Sequence, residues 1–225
     1  HYFKHLGVSD GLSQVCIPSI YQDELGAVWL GTTEGLNRYN GKDVKVFQPS
    51  ESNHGLTNNE INELCGDKNG RMYIRSGNDL IKLDIYTEQF TCLRQKGVYG
   101  LFCKKDTLWV SCADGIYYYT GQGTELTFFA RVQKGFVGRA LYVDRETVWV
   151  VTRKYLVAIS REDPLRQEIL LTLDKGNCIL GDSSGNIWVG AWNGLYRVSP
   201  DRETTAYVSH SGMGELSDNQ VRCVL

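Results

Sequence analysis

The sequence is poor in several residue types and patterns that mark particular classes of protein. Its 225 residues include 4 prolines, 2 methionines and 4 histidines. No apolar run approaches the roughly 18 residues that a membrane span needs, and residues 1–5, HYFKH, lack the basic-then-apolar layout of a signal peptide. The formal net charge of −2 lacks the positive excess of proteins that bind nucleic acid or anionic membranes. We therefore expect that this chain binds no nucleic acid.

The cysteines show no metal-binding spacing. There are seven, at Cys16, Cys65, Cys92, Cys103, Cys112, Cys178 and Cys223. No two of them stand two residues apart and none has a histidine close by, which argues against a zinc knuckle. Most fall in apolar, strand-like runs, which favours buried thiols that act as small hydrophobic residues. A disulfide framework is the alternative, and an odd count would leave at least one thiol unpaired in a monomer.

Motifs for catalysis and cofactor binding are missing as well. The sequence has no Gly-x-Ser-x-Gly elbow and no phosphate-binding glycine loop. Its histidines, His1, His5, His54 and His210, lie at terminal or loop positions, which favours solvated side chains over a metal site or a general base. Its Asp-x-x-Gly segments lack the alternating oxygen ligands of a Ca²⁺ loop. We predict no catalytic residue, no metal and no cofactor.

A repeat rich in glycine and aromatic residues dominates what is present. The 24 glycines, 13 tyrosines and 5 tryptophans are typical of a β protein with many tight turns. Five aromatic anchors recur at spacings of 44, 36, 40 and 39 residues: Trp29, Tyr73, Trp109, Trp149 and Trp188. An aliphatic residue follows each anchor by seven positions, and an Asp-x-x-Gly turn opens six positions before three of them. A period near 40 residues indicates a repeat architecture.

Each repeat is predicted to form four short strands, a to d, with the anchor in strand b. In the first repeat these strands cover residues 17–22, 28–32, 36–40 and 44–48. Strand b is continuously apolar, so it needs cover on both faces, and radially stacked sheets provide that cover. We therefore predict an all-β fold, a β-propeller of four-stranded blades. A β-sandwich is the alternative, but it does not explain the period.

The repeat also predicts where each blade begins and ends. We expect one partial propeller domain over residues 1–225, with blades at 10–50, 54–95, 97–131, 136–173 and 176–210. A sixth blade is expected to start at 215–225, with its strand a over 221–225. Residues 2–5 look like an orphan strand d that would complete the last blade of a ring.

Two repeats resemble a known family. Residues 10–13, DGLS, followed by 22–39, QDELGAVWLGTTEGLNRY, are similar to the two-component regulator propeller repeat. Residues 185–198, GNIWVGAWNGLYRV, match the same pattern nearly as well. The middle repeats are degenerate, because Arg75, Ser111 and Val151 replace the glycine found at Gly31 and Gly190.

The resemblance implies a sensor. Such repeats build periplasmic sensor regions of hybrid two-component systems in gut Bacteroides, where two seven-bladed propellers and a small β-domain precede a membrane helix, a histidine kinase and a regulator. We accordingly expect a fragment of a seven-bladed ring in the extracytoplasmic part of an inner-membrane protein, without enzymatic activity of its own. The expected partners are glycan-derived oligosaccharides, a second propeller and the downstream domains of the same protein, and a second copy of the chain. The alternatives are a lyase or hydrolase of the streptogramin-lyase type and a protein-interaction propeller.

Ligand-binding candidates lie in the turns between strands b and c. These turns vary in charge from repeat to repeat while the framework around them recurs, and propeller topology puts them on one face with the d-to-a loops. The candidates are Trp192, Asn193, Arg153, Lys154, Asp114, Asn78 and Glu34. Trp192 stands apart because the other four tryptophans are framework anchors. An exposed indole can stack on a sugar ring while Asn193 and Arg153 donate to hydroxyls; packing against a neighbouring blade or a second propeller is the alternative.

Overall fold

The computed structural model describes residues 5–50, 55–209, 216 and 218–224. Within them the chain forms twenty strands and two short 3-10 turns, at Val8–Asp10 and Gln133–Gly135. The strands are β1 Ser19–Gln22, β2 Val28–Thr32, β3 Gly35–Tyr39, β4 Val44–Phe47, β5 Ile61–Gly66, β6 Arg71–Ser76, β7 Asp79–Asp84, β8 Gln89–Arg94, β9 Val98–Lys104, β10 Thr107–Cys112, β11 Gly115–Tyr119, β12 Thr127–Ala130, β13 Gly138–Val143, β14 Thr147–Thr152, β15 Tyr155–Ser160, β16 Gln167–Thr172, β17 Cys178–Gly181, β18 Ile187–Ala191, β19 Gly194–Val198 and β20 Thr204–Tyr207.

These strands pair into five four-stranded sheets, each built from four strands that are consecutive in the chain. In the first sheet β1 pairs with β2, β2 with β3 and β3 with β4, all antiparallel. The four-stranded repeat unit predicted from the sequence is confirmed. The predicted blade boundaries, which include the connecting loops, stay a prediction.

The chain divides into two compact units. The first contains the residues up to Leu108 together with Tyr119–Leu126, and the second contains Trp109–Tyr118 together with the residues from Thr127 onward. In the third sheet, β9 belongs to the first unit and β12 to the second, while β10 and β11 are each divided between the two units. Among the described residues, no helix has the length and apolar character needed to cross a membrane.

Each unit has its own core around the aromatic anchors. In the first unit, Trp29 is fully buried and stacks on Phe47 at 5.7 Å between ring centroids. In the second, Trp149 packs with Val151, Leu156 and Val189. All six residues of β14 are buried, as the apolar character of strand b predicts. Trp109 is buried as well, whereas Trp188 is half-buried.

An aspartate in the a–b turn holds the indole of the anchor. Asp23 accepts from Trp29 Nε1 at 2.8 Å through one carboxylate oxygen and from the backbone N–H groups of Leu25 and Ala27 through the other. Asp144 and Asp182 hold Trp149 and Trp188 in the same way. The aspartate therefore orders the turn and also satisfies the polar atom of a large core side chain.

The second repeat departs from this pattern. Its anchor is Tyr73, and the carboxylate of Asp67 pairs with Arg71 at 2.5 Å instead of with the anchor. The hydroxyl of Tyr73 is buried and has no hydrogen-bond partner among the described residues. Burial raises the pKa of Tyr73 above its ordinary value, because the charged form is disfavoured away from water.

Strand b of one sheet meets strand a of the next at a close contact that we call the seam. A Cβ added to Gly31 would lie 2.7 Å from Ile61 Cγ2, so only glycine leaves room for the isoleucine. Gly190 lies equally close to Val221, because a Cβ added to Gly190 would lie 2.7 Å from Val221 Cγ1. The glycines that characterise the first and fifth repeats therefore have a packing role.

Several predictions about the ends and the cysteines need correction. The predicted strand over 221–225 is not present in 221–224; Val221 donates its N–H to Ala191, and no β-ladder partner is described beyond it. Of the seven cysteines, Cys112 is buried as expected, but Cys16 and Cys223 are exposed and the others are half-buried. Apolar flanking residues predicted burial there, but those two lie in loops outside any strand. An orphan strand was expected over residues 2–5; of these, His5 is described and lies outside any strand. The structure does not describe residues 1–4, 51–54, 210–215, 217 and 225, which include the histidines His1, His54 and His210.

Candidate functional site

The turn between β18 and β19 presents Trp192 to solvent. The turn is tight because Gly194 follows with a φ of 138° and lies so close to Tyr207 that a Cβ would come within 2.7 Å of its carbonyl oxygen. Trp192 donates its backbone N–H to Asp174 at 2.9 Å, while its side chain is 39% exposed. A large apolar ring is therefore held outward on a rigid turn.

A neighbouring loop completes the surroundings of this indole. The Nζ of Lys175 lies 3.4 Å from the centroid of the Trp192 ring, a cation–π contact that occupies one ring face. Asn193 Oδ1 accepts from the backbone N–H of Asp174 at 3.0 Å. The Asn193 side chain was predicted to bind a ligand. Its oxygen is used to hold the turn, so only its amide N–H₂ group could donate a hydrogen bond to a ligand.

Arg153 and Lys154 belong to the same surface. They form the turn between β14 and β15, whose backbone is fixed by Thr152 Oγ1 accepting from the N–H groups of Lys154 and Tyr155. The carbonyls of Arg153 and Lys154 accept from Gly176 and Leu173, so this turn contacts the loop that also braces Trp192. Both side chains are exposed. We call Arg153, Lys154, Asp174, Lys175, Trp192 and Asn193 the turn surface.

The other three candidates lie elsewhere. Asp114 is exposed in the turn between β10 and β11, accepts from Tyr117 Oη at 2.8 Å, and borders a hollow of about 270 Å³ with Arg131 and Phe136. Glu34 and Asn78 are exposed in turns of the first unit. The structure thus brings four of the seven predicted residues together on the turn surface.

A second concave region lies near the turns at the opposite ends of strands β14 and β15. It is a groove of about 630 Å³ in the second unit, lined by Arg145, Glu146, Arg161, Glu162, Arg166, Glu168 and Arg202 among others. Arg202 pairs with Glu168, and Arg161 donates to the carbonyls of Asp144 and Arg145 at 3.0 Å. Because its acids and bases nearly balance and partly bind one another, the groove does not select a ligand charge.

The side chains at these sites are those of a binding surface. Among the residues that the structure describes, no group of three or more His, Cys, Asp or Glu side chains is placed to hold a metal ion. The turn surface contains two lysines, an arginine, a carboxylate, an amide and an indole, which suits hydrogen bonding and stacking.

Asp174 and Lys175 were missed by the sequence analysis. They lie 17 or 18 residues before Trp192, in the loop from β16 to β17. Sequence reasoning placed the d-to-a loops on the face of the b–c turns, but which loop residue meets which turn depends on how one sheet packs on the next. The sequence could therefore indicate that this loop lies near the b–c turns, but not which of its residues contacts Trp192.

Comparison with known sequences supports the resemblance of the first repeat. Residues 11–34 match the family model described as two component regulator propeller, so the predicted resemblance is confirmed for that repeat. A segment of 46 residues is 41% identical to Histidine kinase P4 of Formosa agariphila, and covers 20% of this chain and 3% of the kinase.

Solved structures show the fold. The extracellular domain of a protein assigned as a hybrid two component system from B. thetaiotaomicron superposes with a TM-score of 0.79 at 22% identity, over 96% of this chain and 33% of that chain. Virginiamycin B lyase from Staphylococcus aureus superposes with a TM-score of 0.66 at 12% identity, over 86% of this chain and 70% of the lyase. The chain therefore spans about a third of the first of these structures.

The predicted fold class is confirmed by these likenesses together with the five four-stranded antiparallel sheets. This chain is a partial β-propeller that carries a two-component regulator propeller repeat and shares its fold with an extracellular domain of a bacterial two-component system.

Proposed function

We propose that this chain is the ligand-sensing, extracytoplasmic part of a hybrid two-component system and that it recognises glycan-derived oligosaccharides at the turn surface. The observation that carries the proposal is the exposed indole of Trp192 on a braced turn. Sugar rings offer C–H faces that stack on aromatic rings, and their hydroxyls need donors and acceptors nearby.

The turn surface divides these tasks among its residues. Lys175 covers one face of the Trp192 ring at 3.4 Å, so a sugar would stack on the other face. Arg153 and Lys154 are exposed and would donate to hydroxyl or carboxylate groups of the same ligand. The Asn193 amide would donate to a hydroxyl while its oxygen stays bound to Asp174. Because the backbone at Trp192 is already fixed, little conformational entropy would be lost when the ring binds a ligand.

Signalling would occur in other parts of the protein. The likeness to an extracellular domain and the matched segment of a histidine kinase support a periplasmic location and a kinase domain elsewhere in the same polypeptide. In this proposal the chain has no catalytic role. Ligand binding would change contacts with a second propeller, with downstream domains or with a second copy of the chain, and so bias the kinase.

Calorimetric titration against a panel of plant and host glycan oligosaccharides tests the proposal. We expect at least one member of the panel to bind, and Trp192→Ala to weaken that binding at least tenfold. Leu165→Ala is the matched control, because Leu165 is an exposed apolar residue of the same unit, 93% exposed and outside the turn surface. Binding that survives Trp192→Ala unchanged would remove the turn surface from the proposal.

A propeller lyase is the second candidate, supported by the likeness to virginiamycin B lyase. That lyase has a form with one histidine replaced by alanine that is described as catalytically inactive. Incubating each binding oligosaccharide and a streptogramin with the protein and analysing the mixture by mass spectrometry separates the two functions. The sensor proposal predicts unchanged ligand, and catalytic turnover would favour the lyase.

A further inference from the structure

Two cysteines of the first unit face each other across neighbouring strands. Cys65 lies in β5 and Cys103 in β9, and their Sγ atoms are 2.9 Å apart. A hydrogen bond connects the same two strands two residues earlier in each, where the Glu63 carboxylate accepts from the backbone N–H of Leu101 at 3.2 Å. Both cysteines are half-buried, so their contact is held by the packing of the two strands.

The separation of the two thiols is close to that of a covalent pair. A disulfide bond is about 2.04 Å long, so the sulfur atoms need to approach by less than 1 Å from their distance of 2.9 Å. Since the two cysteines lie on adjacent packed strands, we expect rotation of the two side chains to close this gap.

We propose that Cys65 and Cys103 form a disulfide that links strand a of the second repeat to strand a of the third. The oxidant is the disulfide of a thiol–disulfide oxidoreductase or a small-molecule disulfide such as oxidised glutathione. One cysteine thiolate attacks that disulfide, the second displaces the resulting mixed disulfide, and two electrons pass to the oxidant. Both protons end on the two sulfur atoms of the reduced oxidant, so the step balances.

The surroundings explain when the bond would form. Burial raises the pKa of the Cys65 thiol well above its ordinary value, and the neighbouring thiol and the carboxylates of Glu63 and Asp67 raise it further. The reactive thiolate is therefore scarce once β5 and β9 have packed. Oxidation is expected during folding, before the pair is enclosed, and the finished bond is expected to resist reduction in the native protein.

Peptide mapping of the whole chain tests the proposal without any variant. The protein is folded in a glutathione redox buffer, thiols are blocked in denaturant, and trypsin is added. Cys65 and Cys103 fall in the tryptic peptides 46–68 and 97–104. We expect these two peptides to appear linked, two hydrogen masses lighter than their sum, and to separate after reduction. Of the seven thiols, the two in the linked peptides are then expected to react only after reduction.

Two variants and a stability measurement sharpen the result. Reduction is expected to lower the melting temperature of the wild-type protein by roughly 10 °C, and to leave that of Cys65→Ser unchanged. Cys92→Ser is the matched control, a half-buried cysteine of the same unit, and should behave like the wild type. Seven reactive thiols after oxidative folding, or a link from Cys65 to any other cysteine, would overturn the proposal. Neither result depends on ligand binding, so this test and that of the turn surface fail separately.

Discussion

The seams of the first and the fourth repeat solve one packing problem in different ways. In the first unit, the glycine is in strand b and the large residue is in strand a, as Gly31 faces Ile61. In the fourth repeat Val151 is in strand b, and the glycine is Gly176 in the loop before β17, where a Cβ would come within 2.6 Å of Val151 Cγ1. In both contacts a glycine leaves room for a branched side chain.

The third repeat shows that the exchange is more than chance. Ser111 replaces the glycine of strand b, and Gly138 faces it, with a Cβ there only 2.5 Å from Ser111 Oγ. The Ser111 hydroxyl donates to the carbonyl of Gly138 at 2.9 Å. Because interiors are close-packed, the contact needs a glycine on one side, and either side can supply it. A repeat that is degenerate in sequence can therefore keep the same seam.

The largest expected effect compares the anchors of the two units. Trp29→Ala should lower the free energy of unfolding by about 3–5 kcal/mol, since it removes a fully buried indole and its hydrogen bond to Asp23. Trp188→Ala should cost less, because Trp188 is half-buried. Denaturant unfolding of both variants measures the difference. Equal losses would mean that the anchors contribute alike in the two units, contrary to their burial.

Replacing the Gly31–Ile61 pair by the serine–glycine pair of the third repeat tests whether the two facing positions compensate for each other. Gly31→Ser should destabilise by about 2 kcal/mol through overpacking against Ile61, and Ile61→Gly by more, since Ile61 is fully buried. In the double variant the serine has space, so the losses should not add. We expect a favourable coupling of about 1–2 kcal/mol from a double-mutant cycle. Simple additivity would show that the two residues pack independently.

A smaller effect of opposite sign is expected at the anchor of the second repeat. Tyr73→Phe removes a buried hydroxyl that has no partner among the described residues, so the variant should be more stable by about 1 kcal/mol. Tyr119→Phe is the matched control in the same unit, because that hydroxyl donates to Gly123 at 2.7 Å. The control should lose about 1 kcal/mol. A destabilised Tyr73→Phe variant would contradict the assignment of that hydroxyl as unpaired.

The smallest expected effect is a pH dependence at the fifth repeat. Hydrogen bonds from the Trp188 indole and from Asn186 lower the pKa of Asp182 from 3.8 to about 2. A depressed pKa stabilises the folded state above pH 3.8 and loses that contribution as the pH falls through 2. Acid unfolding followed by circular dichroism should show Asp182→Asn to be less sensitive to pH in this interval. An unchanged profile would mean that the carboxylate does not stabilise the fold.

Much of the fold could be predicted because it depends on local patterns. The spacing of Trp29 and its equivalents, the continuous apolar runs and the Asp-x-x-Gly turns each report on a few neighbouring residues, and they predicted four strands per repeat. The pairing of Ser111 with Gly138 could not be predicted, because it depends on which residues two sheets bring together. The same reason hid the contact between Cys65 and Cys103.

The candidate site was predictable to the same degree. Trp192 stood out because it breaks the pattern of anchor tryptophans. Its exposure agrees with the hypothesis that its ring stacks on a sugar. Lys175, which occupies one face of its ring, comes from a loop 17 residues earlier, and no local signal marks it. Whether a ligand binds there stays a prediction.

The most direct test of the central claim is fluorine NMR of the protein labelled with 5-fluorotryptophan. The 5 tryptophans give separate resonances, which single Trp→Phe variants assign. On addition of an oligosaccharide that binds in the calorimetric panel, the account predicts that the resonance of Trp192 moves and that those of Trp29, Trp109, Trp149 and Trp188 stay in place. A Trp192 resonance that does not move while the oligosaccharide binds would contradict it.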